Sequence, residues 1–228
     1  MANGATYQVN TGFGSPRFSK VELRDITISV LVLALSFTLI YVSRNNRFIM
    51  TAFEHFFGEG TVKYVGLFLT SVVLVVISFL LHELGHKFVA QKHGLWSEYR
   101  MFPAGLMFSV ILSFAGFLFA APGAVMIAAN QMDPKTNGKI SIAGPAVNIV
   151  FAAIGLIGCF AFNGNVIVVP FFLLASLNAS LALFNLIPIP PLDGSKIFRW
   201  NIGIWIAALA VAAAEFILLF RMGLYYTL

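Results

Sequence analysis

The stretch YVGLFLTSVVLVVISFLL, residues Tyr64 to Leu81, runs directly into HELGH, residues His82 to His86. The first stretch is 18 residues long and carries no charge. Because a helix needs about 20 apolar residues to cross the hydrocarbon core of a bilayer, it predicts a membrane-spanning helix. Ionisable side chains are costly at membrane depth and occur there mainly where they serve a function. HELGH at the end of such a helix therefore indicates a functional site.

The composition is that of a multi-pass membrane protein. Of the 228 residues, 59% are hydrophobic and only 10% are charged, and the mean hydropathy is +0.90. The net charge of +5 comes from basic residues scattered through short loops, where they orient a membrane protein rather than bind nucleic acid. We therefore expect the lipid bilayer, and no nucleic acid, as a partner. The single Cys159 excludes an internal disulfide framework and a cysteine-based metal site.

Uncharged apolar stretches predict an all-α fold of about five transmembrane helices. The predicted spans are Ile26 to Ser43, Tyr64 to about Ala90, Ile140 to Phe162, Val166 to Leu192 and Trp200 to Phe220. We expect residues 1–25 to form a polar cytosolic N-terminal tail. Residues 26–228 are expected to form a single integral-membrane domain with its core at 64–200.

A sixth uncharged stretch, Met101 to Met132, contains several prolines and glycines that disfavour a continuous helix. If this stretch crossed the membrane, Lys and Arg would divide evenly, seven to each side. If it dips in and returns, ten lie on the N-terminal side and four on the other, as the positive-inside rule favours. We therefore predict a re-entrant segment. Its flanks, SEYRMFP (97–103) and APGAVMI (121–127), are expected to form a small β-hairpin at membrane depth.

The HELGH sequence has the spacing of a metal site. His82 and His86 share one face of a helix, so both imidazoles can bind one ion, while Glu83 can reach a metal-bound water. A catalytic zinc takes three protein ligands and keeps a fourth position open. We therefore expect one catalytic Zn²⁺ and a third ligand from elsewhere in the chain. In or beside apolar segments, the candidates are Asp193 and Glu215.

The predicted topology favours Asp193. Three prolines in NLIPIPPLDG (185–194) end the fourth helix just before it. With a re-entrant segment, HELGH and Asp193 both reach the cytosolic side of the membrane. With one more crossing, Asp193 would lie at the opposite face, too far for a zinc–oxygen bond of about 2 Å. The charge distribution and the metal site thus favour the same topology.

Three motifs together resemble the site-2 protease family of intramembrane zinc metalloproteases. They are HELGH, AGPAVN (143–148) and NLIPIPPLDG, and the resemblance covers about Tyr64 to Trp200. It implies that the zinc ligands are His82, His86 and Asp193, and that the catalytic residues are Glu83 and Asn185. Asn185 would position the substrate or stabilise the oxyanion. We expect a minimal form without the PDZ-like insert or regulatory domains that many members carry.

The expected activity is that of an intramembrane endopeptidase that cleaves transmembrane segments of single-span membrane-protein substrates. Glu83 would act as general base towards zinc-activated water. A helical substrate must unwind to expose its amides, and the predicted hairpin could hold the extended segment by strand addition. The candidate substrate-binding residues are Tyr99, Met101, Pro122, Gly123 and Val125. The expected location is a prokaryotic cell membrane, with the active site towards the cytosol.

Two alternatives remain open at this point. A membrane metalloprotease of the CAAX-prenyl type would take its third ligand from a downstream glutamate, for which Glu215 is the only candidate. A metal transporter, or an inactive relative that binds client proteins, would keep the helices without needing Glu83. Outside these alternatives, Glu215 is either a neutral helix contact or part of a gate or water path. Asn148 is either a packing residue or a participant in catalysis.

Overall fold

The computed structural model describes residues 18–43, 46–116, 122–128 and 132–227. Within this part of the chain, five helices are long and apolar enough to cross a membrane. They are Lys20–Ser43, Thr61–Lys92, Pro134–Ala161, Val168–Asn185 and Ile202–Gly223. The five predicted spans are thus confirmed. Most of the predicted N-terminal tail, residues 1–17, lies outside the described residues.

The described elements follow one another in a simple order. They are α1 (Lys20–Ser43), α2 (Arg47–Phe57), α3 (Thr61–Val75), α4 (Leu81–Lys92), β1 (Trp96–Met101), α5 (Pro103–Phe114), β2 (Gly123–Ala128), α6 (Pro134–Ala161), α7 (Val168–Asn185), α8 (Asp193–Trp200) and α9 (Ile202–Thr227). A π-helical turn, Val76–Leu80, joins α3 to α4 in one continuous rod. Helix α6 packs against α4, α7, α8 and α9, so it lies at the centre of the bundle.

Several helix boundaries differ from the prediction, and two of these differences concern residues close to the site. Helix α1 begins at Lys20 rather than Ile26, and its first turns bury the carboxylates of Glu22 and Asp25. Charge alone marked these residues as a tail, but partners on other elements bury them. Helix α7 ends at Asn185 rather than Leu192. The prolines that follow cannot continue a helix, and the chain turns before α8 begins.

The two extended flanks pair as expected, but they do not form a simple hairpin. Strands β1 and β2 form a two-stranded antiparallel sheet, with Tyr99 opposite Val125 and Met101 opposite Gly123. Helix α5 lies between the strands in sequence, inside the segment that was predicted to be re-entrant. The strands are short and flank an apolar segment, Pro103–Phe114, whose backbone groups are satisfied within the segment because it folds as a helix.

The segment between the strands leaves the sheet and comes back to it. Helix α5 packs along α1, and the Ser43 hydroxyl at the end of α1 donates to the Ser113 carbonyl, at 3.2 Å. Beyond residues 117–121, which lie outside the described residues, the Phe102 N–H donates to the Pro122 carbonyl, at 2.7 Å. Both ends of the segment therefore lie next to each other, near the N-terminal part of α1, where Asp25 accepts the Met101 N–H. This is the path that a re-entrant segment takes.

Candidate metal centre

Three side chains from two elements converge at the end of the long rod. The Nε2 atoms of His82 and His86 lie 3.1 Å apart. Asp193 Oδ2 lies 3.6 Å from the first nitrogen and 3.0 Å from the second. All three residues are buried. The structure therefore brings together the three ligands that the sequence predicted.

Asp193 reaches the site at the beginning of a helix rather than at the end of one. It is the first residue of α8, after a turn that follows α7. The turn passes so close to α8 that a Cβ on Gly194 would lie 2.2 Å from the Leu186 carbonyl oxygen. The Trp205 indole also donates to this carbonyl, at 2.8 Å. Glycine at 194 and the indole contact thus hold the turn that presents the carboxylate.

Hydrogen bonds set the tautomer of both histidines. His82 Nδ1 faces the Asn148 Oδ1, and His86 Nδ1 faces the Ile140 carbonyl at 2.8 Å. Since both partners are acceptors, each Nδ1 carries a proton, and each Nε2 is the nitrogen left to bind an ion at the centre of the site. This is the arrangement that a second shell imposes on metal-binding histidines.

A polar network behind His82 is centred on Asn148, and its other members, Ser78 and Asn178, were not predicted from the sequence. The Asn148 amide donates to the Ser78 carbonyl and to the Asn178 Oδ1, at 2.8 and 2.9 Å. The Asn178 amide donates in turn to the Ser78 hydroxyl, at 2.7 Å. Ser78 lies in the π-helical turn, where the helical hydrogen-bond pattern shifts. The sequence feature that could have indicated this network is the presence of isolated polar residues inside apolar spans.

The three donor atoms fit a zinc ion. Bonds of about 2.1 Å in a tetrahedral site place neighbouring ligand atoms about 3.4 Å apart. The observed separations, 3.0, 3.1 and 3.6 Å, lie on either side of this value. Gly144 leaves the space, because a Cβ there would lie 2.4 Å from His86 Nε2. Two imidazoles and a carboxylate are also a donor set that catalytic zinc uses.

The Asp193 carboxyl is held in its anionic form. Burial alone would raise its pKa, but the two neighbouring imidazoles and their hydrogen bonds hold the pKa well below its usual range. Lys196 contributes a further cation, 3.3 Å from Oδ1. A carboxylate that remains ionised is able to bind a cation.

Glu215 does not join this cluster. Among the described residues, the group with metal-ligand spacing consists of His82, His86 and Asp193. Glu215 lies on α9, where it is buried, and its Oε2 has no hydrogen-bond partner in the described part of the chain. The geometry therefore favours Asp193 over the glutamate that a CAAX-type site would require.

Glu83 lies next to the cluster without being part of it. It is buried, and its Oε2 accepts a hydrogen bond from the Val125 N–H, at 3.0 Å. The outer edge of strand β2 therefore faces Glu83 and the metal centre. This contact links the catalytic carboxylate predicted from HELGH to the strand predicted to bind substrate.

A cavity of about 440 Å³ opens in front of the site. Its polar end contains Glu83, the three candidate ligands and Asn185. Its walls are apolar and come from spanning helices; they include Leu33, Phe37, Val75, Phe79, Leu177 and Leu181. The Asn185 amide donates to the Leu181 carbonyl at 3.0 Å. The structure thus joins a hydrophilic centre to a hydrophobic chamber inside the bundle.

The residues predicted to bind substrate fall into two groups. Pro122, Gly123 and Val125 line the cavity. Tyr99 and Met101 are absent from its lining. The Tyr99 side chain is buried, with its hydroxyl 2.9 Å from the Ser29 Oγ, and the Met101 N–H donates to Asp25 at 3.3 Å. Strand β1 therefore faces α1, and β2 alone faces the cavity.

Comparison with known proteins bears on the chemistry of this centre. The sequence matches the family model of peptidase family M50 over residues 70–169 and 161–225. A candidate zinc metalloprotease of Methanocaldococcus jannaschii is 37% identical over 191 residues, which is 83% of this chain and 89% of that protein. The candidate zinc metalloprotease YwhC of Bacillus subtilis is 33% identical over 153 residues, covering 56% of this chain and 67% of that protein. No solved structure matches the chain.

Proposed function

Because the chain belongs to peptidase family M50, the site-2 protease family, it is an integral-membrane zinc metalloendopeptidase, and we propose that it cleaves the transmembrane segments of single-span membrane proteins. The observation that carries this proposal is the cavity. Its polar end meets the metal centre, and its apolar walls come from helices long enough to span a membrane. Such a chamber favours a hydrophobic segment that enters from the bilayer over a polar soluble peptide.

The proposed roles follow from the positions of the side chains. His82, His86 and Asp193 hold the zinc ion. When bound, zinc polarises the scissile carbonyl and lowers the pKa of water towards neutrality. Glu83 accepts the proton of the attacking water and delivers it to the leaving amine, because its carboxylate lies beside the ligands without being one of them.

Asn185 is proposed to bind the substrate carbonyl. A side-chain amide has two N–H donors, and one of them donates to the Leu181 carbonyl. This bond holds the amide against α7, and the second donor is left for a ligand in the cavity that Asn185 lines. A donor held in this way stabilises negative charge that develops on the carbonyl oxygen.

We propose that the unwound substrate adds to the outer edge of β2. Carboxylates of α1 occupy the outer edge of β1, since Glu22 accepts from the Tyr99 N–H and Asp25 from the Met101 N–H. The outer edge of β2 faces the cavity, where its Gly123, Val125 and Ile127 lie in the lining. An extended peptide on this edge would gain main-chain hydrogen bonds and lie beside Glu83.

The active site is proposed to face the cytosol of a prokaryotic cell. Residues 1–25 would lie on the same side, with 26–228 forming one membrane domain around a core at 64–200. Lys87, next to the ligand His86, pairs with Glu22 at the start of α1. The N-terminal end of α1 and the metal centre therefore lie at one end of the bundle. The excess of Lys and Arg predicted for this side favours the cytosol.

A reconstituted cleavage assay tests the proposed function. Wild type, Glu83→Gln and the exposed-loop control Glu59→Gln are purified, analysed for zinc and incubated in liposomes with a single-span substrate. We expect all three to bind one zinc. Glu83→Gln should lose about 100- to 10,000-fold in rate, as expected for the loss of a general base. Mass spectrometry should place the cut inside the spanning segment. Cleavage only outside that segment, or undiminished cleavage by Glu83→Gln, would contradict the proposal.

A further inference from the structure

A buried carboxylate in the first turn of α1 binds two other parts of the site. Lys87 donates to both oxygens of Glu22, at 2.6 Å for Oε1, and neither side chain has any exposed surface. The same Oε1 accepts the Tyr99 N–H at 2.9 Å. Glu22 therefore holds α1 to the metal-binding helix and to the sheet at once.

These contacts continue to the catalytic carboxylate. Tyr99 lies opposite Val125 in the sheet, and the Val125 N–H donates to Glu83. Because the two N–H groups point to opposite edges, the sheet bridges the two glutamates. Glu83 and Lys87 lie four residues apart, on one face of α4. A closed ring of contacts therefore runs from Glu22 through β1, β2 and Glu83 to Lys87 and back.

The ion pair itself does not account for this arrangement. Burying two charges costs desolvation energy that often equals or exceeds their attraction, and well-packed apolar side chains could join α1 to α4 as well. An apolar side chain at position 22, however, could not accept the Tyr99 N–H. Two further groups of α1 bind the same strand, since Asp25 accepts the Met101 N–H and Ser29 bonds the Tyr99 hydroxyl. All three of these groups of α1 therefore hold strand β1 in position.

We propose that Glu22 is a positioning residue of the peptidase, which fixes the outer edge of β2 beside Glu83 by holding β1 from behind. The turn that precedes the apolar part of the first span then helps to position the edge of β2. This inference rests on the proposed addition of the substrate to β2. Displacement of the strand would misalign the scissile bond relative to Glu83 while leaving the three metal ligands in place.

Two double variants isolate the contribution of the Tyr99 N–H contact. Glu22→Gln with Lys87→Met removes both charges but keeps a side-chain oxygen as acceptor. Glu22→Met with Lys87→Met removes both charges and the acceptor. Neither leaves an unpaired buried charge. Glu54→Gln with Lys63→Met removes the ion pair that joins α2 to α3, and serves as the control.

We refer to Glu22→Gln with Lys87→Met as Gln/Met, and to Glu22→Met with Lys87→Met as Met/Met. We expect Gln/Met and the control to keep kcat within about threefold of wild type. The Met/Met variant should lose about tenfold in kcat, since small misplacement of reacting groups costs up to about 100-fold. The Gln/Met and Met/Met variants should bind one zinc and unfold at the same temperature. Equal kcat for the two would overturn the proposal. A loss in Met/Met accompanied by zinc loss or a lower unfolding temperature would also overturn it, because Glu22 would then be a packing residue.

Assays with two substrates distinguish a failure of this proposal from a failure of the proposed function. One is the single-span protein in liposomes, and the other is an unstructured peptide with the same cleavage sequence in detergent. If wild type cleaves only the peptide, the proposed substrate class is wrong. The contrast between Gln/Met and Met/Met is then measured on the peptide, where equal kcat values still overturn the role of Glu22 and a tenfold difference still supports it.

Discussion

Asp193 Oδ2 lies 3.0 Å from His86 Nε2, although two spanning helices separate these residues along the chain. The contact brings the start of α8 against the end of the long rod. An ion that binds both residues would therefore join two distant parts of the fold. Loss of the ion should then reduce both the activity and the stability of the folded protein.

Asp193→Ala should lose zinc, whereas Glu215→Ala should keep it. Removing a ligand of the three-residue cluster should weaken zinc binding by more than about 100-fold, since even outer-shell partners contribute about 10- to 100-fold. Glu215 lies outside the cluster. Competition with a zinc-binding dye measures both affinities. A chain that retains zinc without Asp193 and loses it without Glu215 would instead have a CAAX-type site.

Zinc removal should lower the unfolding temperature of wild type. A ligand at 100 times its dissociation constant stabilises the folded state by about 2.7 kcal/mol, and a chelator removes this contribution. Asp193→Ala should unfold at nearly the same temperature with and without chelator. Thermal unfolding in detergent, followed by tryptophan fluorescence, provides the comparison. If the chelator has no effect on wild type, the ion does not join α4 to α8.

Asn148→Ala should lower zinc affinity by about 10- to 100-fold, because His82 loses the acceptor that sets its tautomer. Asn178→Ala should have a smaller effect, since it acts on His82 only through Asn148. Asn165→Ala, in a loop away from the metal, serves as the control. The dye competition assay ranks the three variants. Equal affinity in Asn148→Ala and wild type would identify Asn148 as a packing residue.

Gly144→Ala should abolish most activity, with a loss of more than about 100-fold in kcat/KM. The added methyl would lie 2.4 Å from His86 Nε2 and 2.6 Å from His82 Nε2, in the space that the ion needs. Gly223→Ala is the matched control, because its Cβ would meet its nearest atom at 3.5 Å, an ordinary contact. Zinc content and cleavage are measured for both. Full zinc occupancy in Gly144→Ala would show that the helices adjust.

Ile127→Pro should raise KM for the single-span substrate about tenfold without loss of zinc. Ile127 lies two residues beyond Val125, so its N–H points to the same outer edge of β2, and proline removes that donor. Ile127→Ala changes the side chain but keeps the N–H, and should bind substrate more nearly as wild type does. Steady-state kinetics distinguishes the two. If they have the same KM, the substrate does not use this N–H.

Local patterns in the sequence determined a large part of this protein. The uncharged run before HELGH, the distribution of Lys and Arg and the prolines before Asp193 predicted five spans and a metal cluster at one end. These features are local or periodic, so they can be recognised without knowing which elements meet.

Only the tertiary structure decided which edge of the sheet faces the site. The sequence suggested both strands as binding edges, but Glu22 and Asp25 close the edge of β1, and only β2 faces Glu83. The sequence also did not predict the partners of Asn148 in the network that orients His82, because Asn178 and Ser78 lie in apolar runs of different helices. Each of these contacts joins residues far apart in the chain. Which polar groups become partners therefore depends on how helices and strands pack, and no local pattern encodes that.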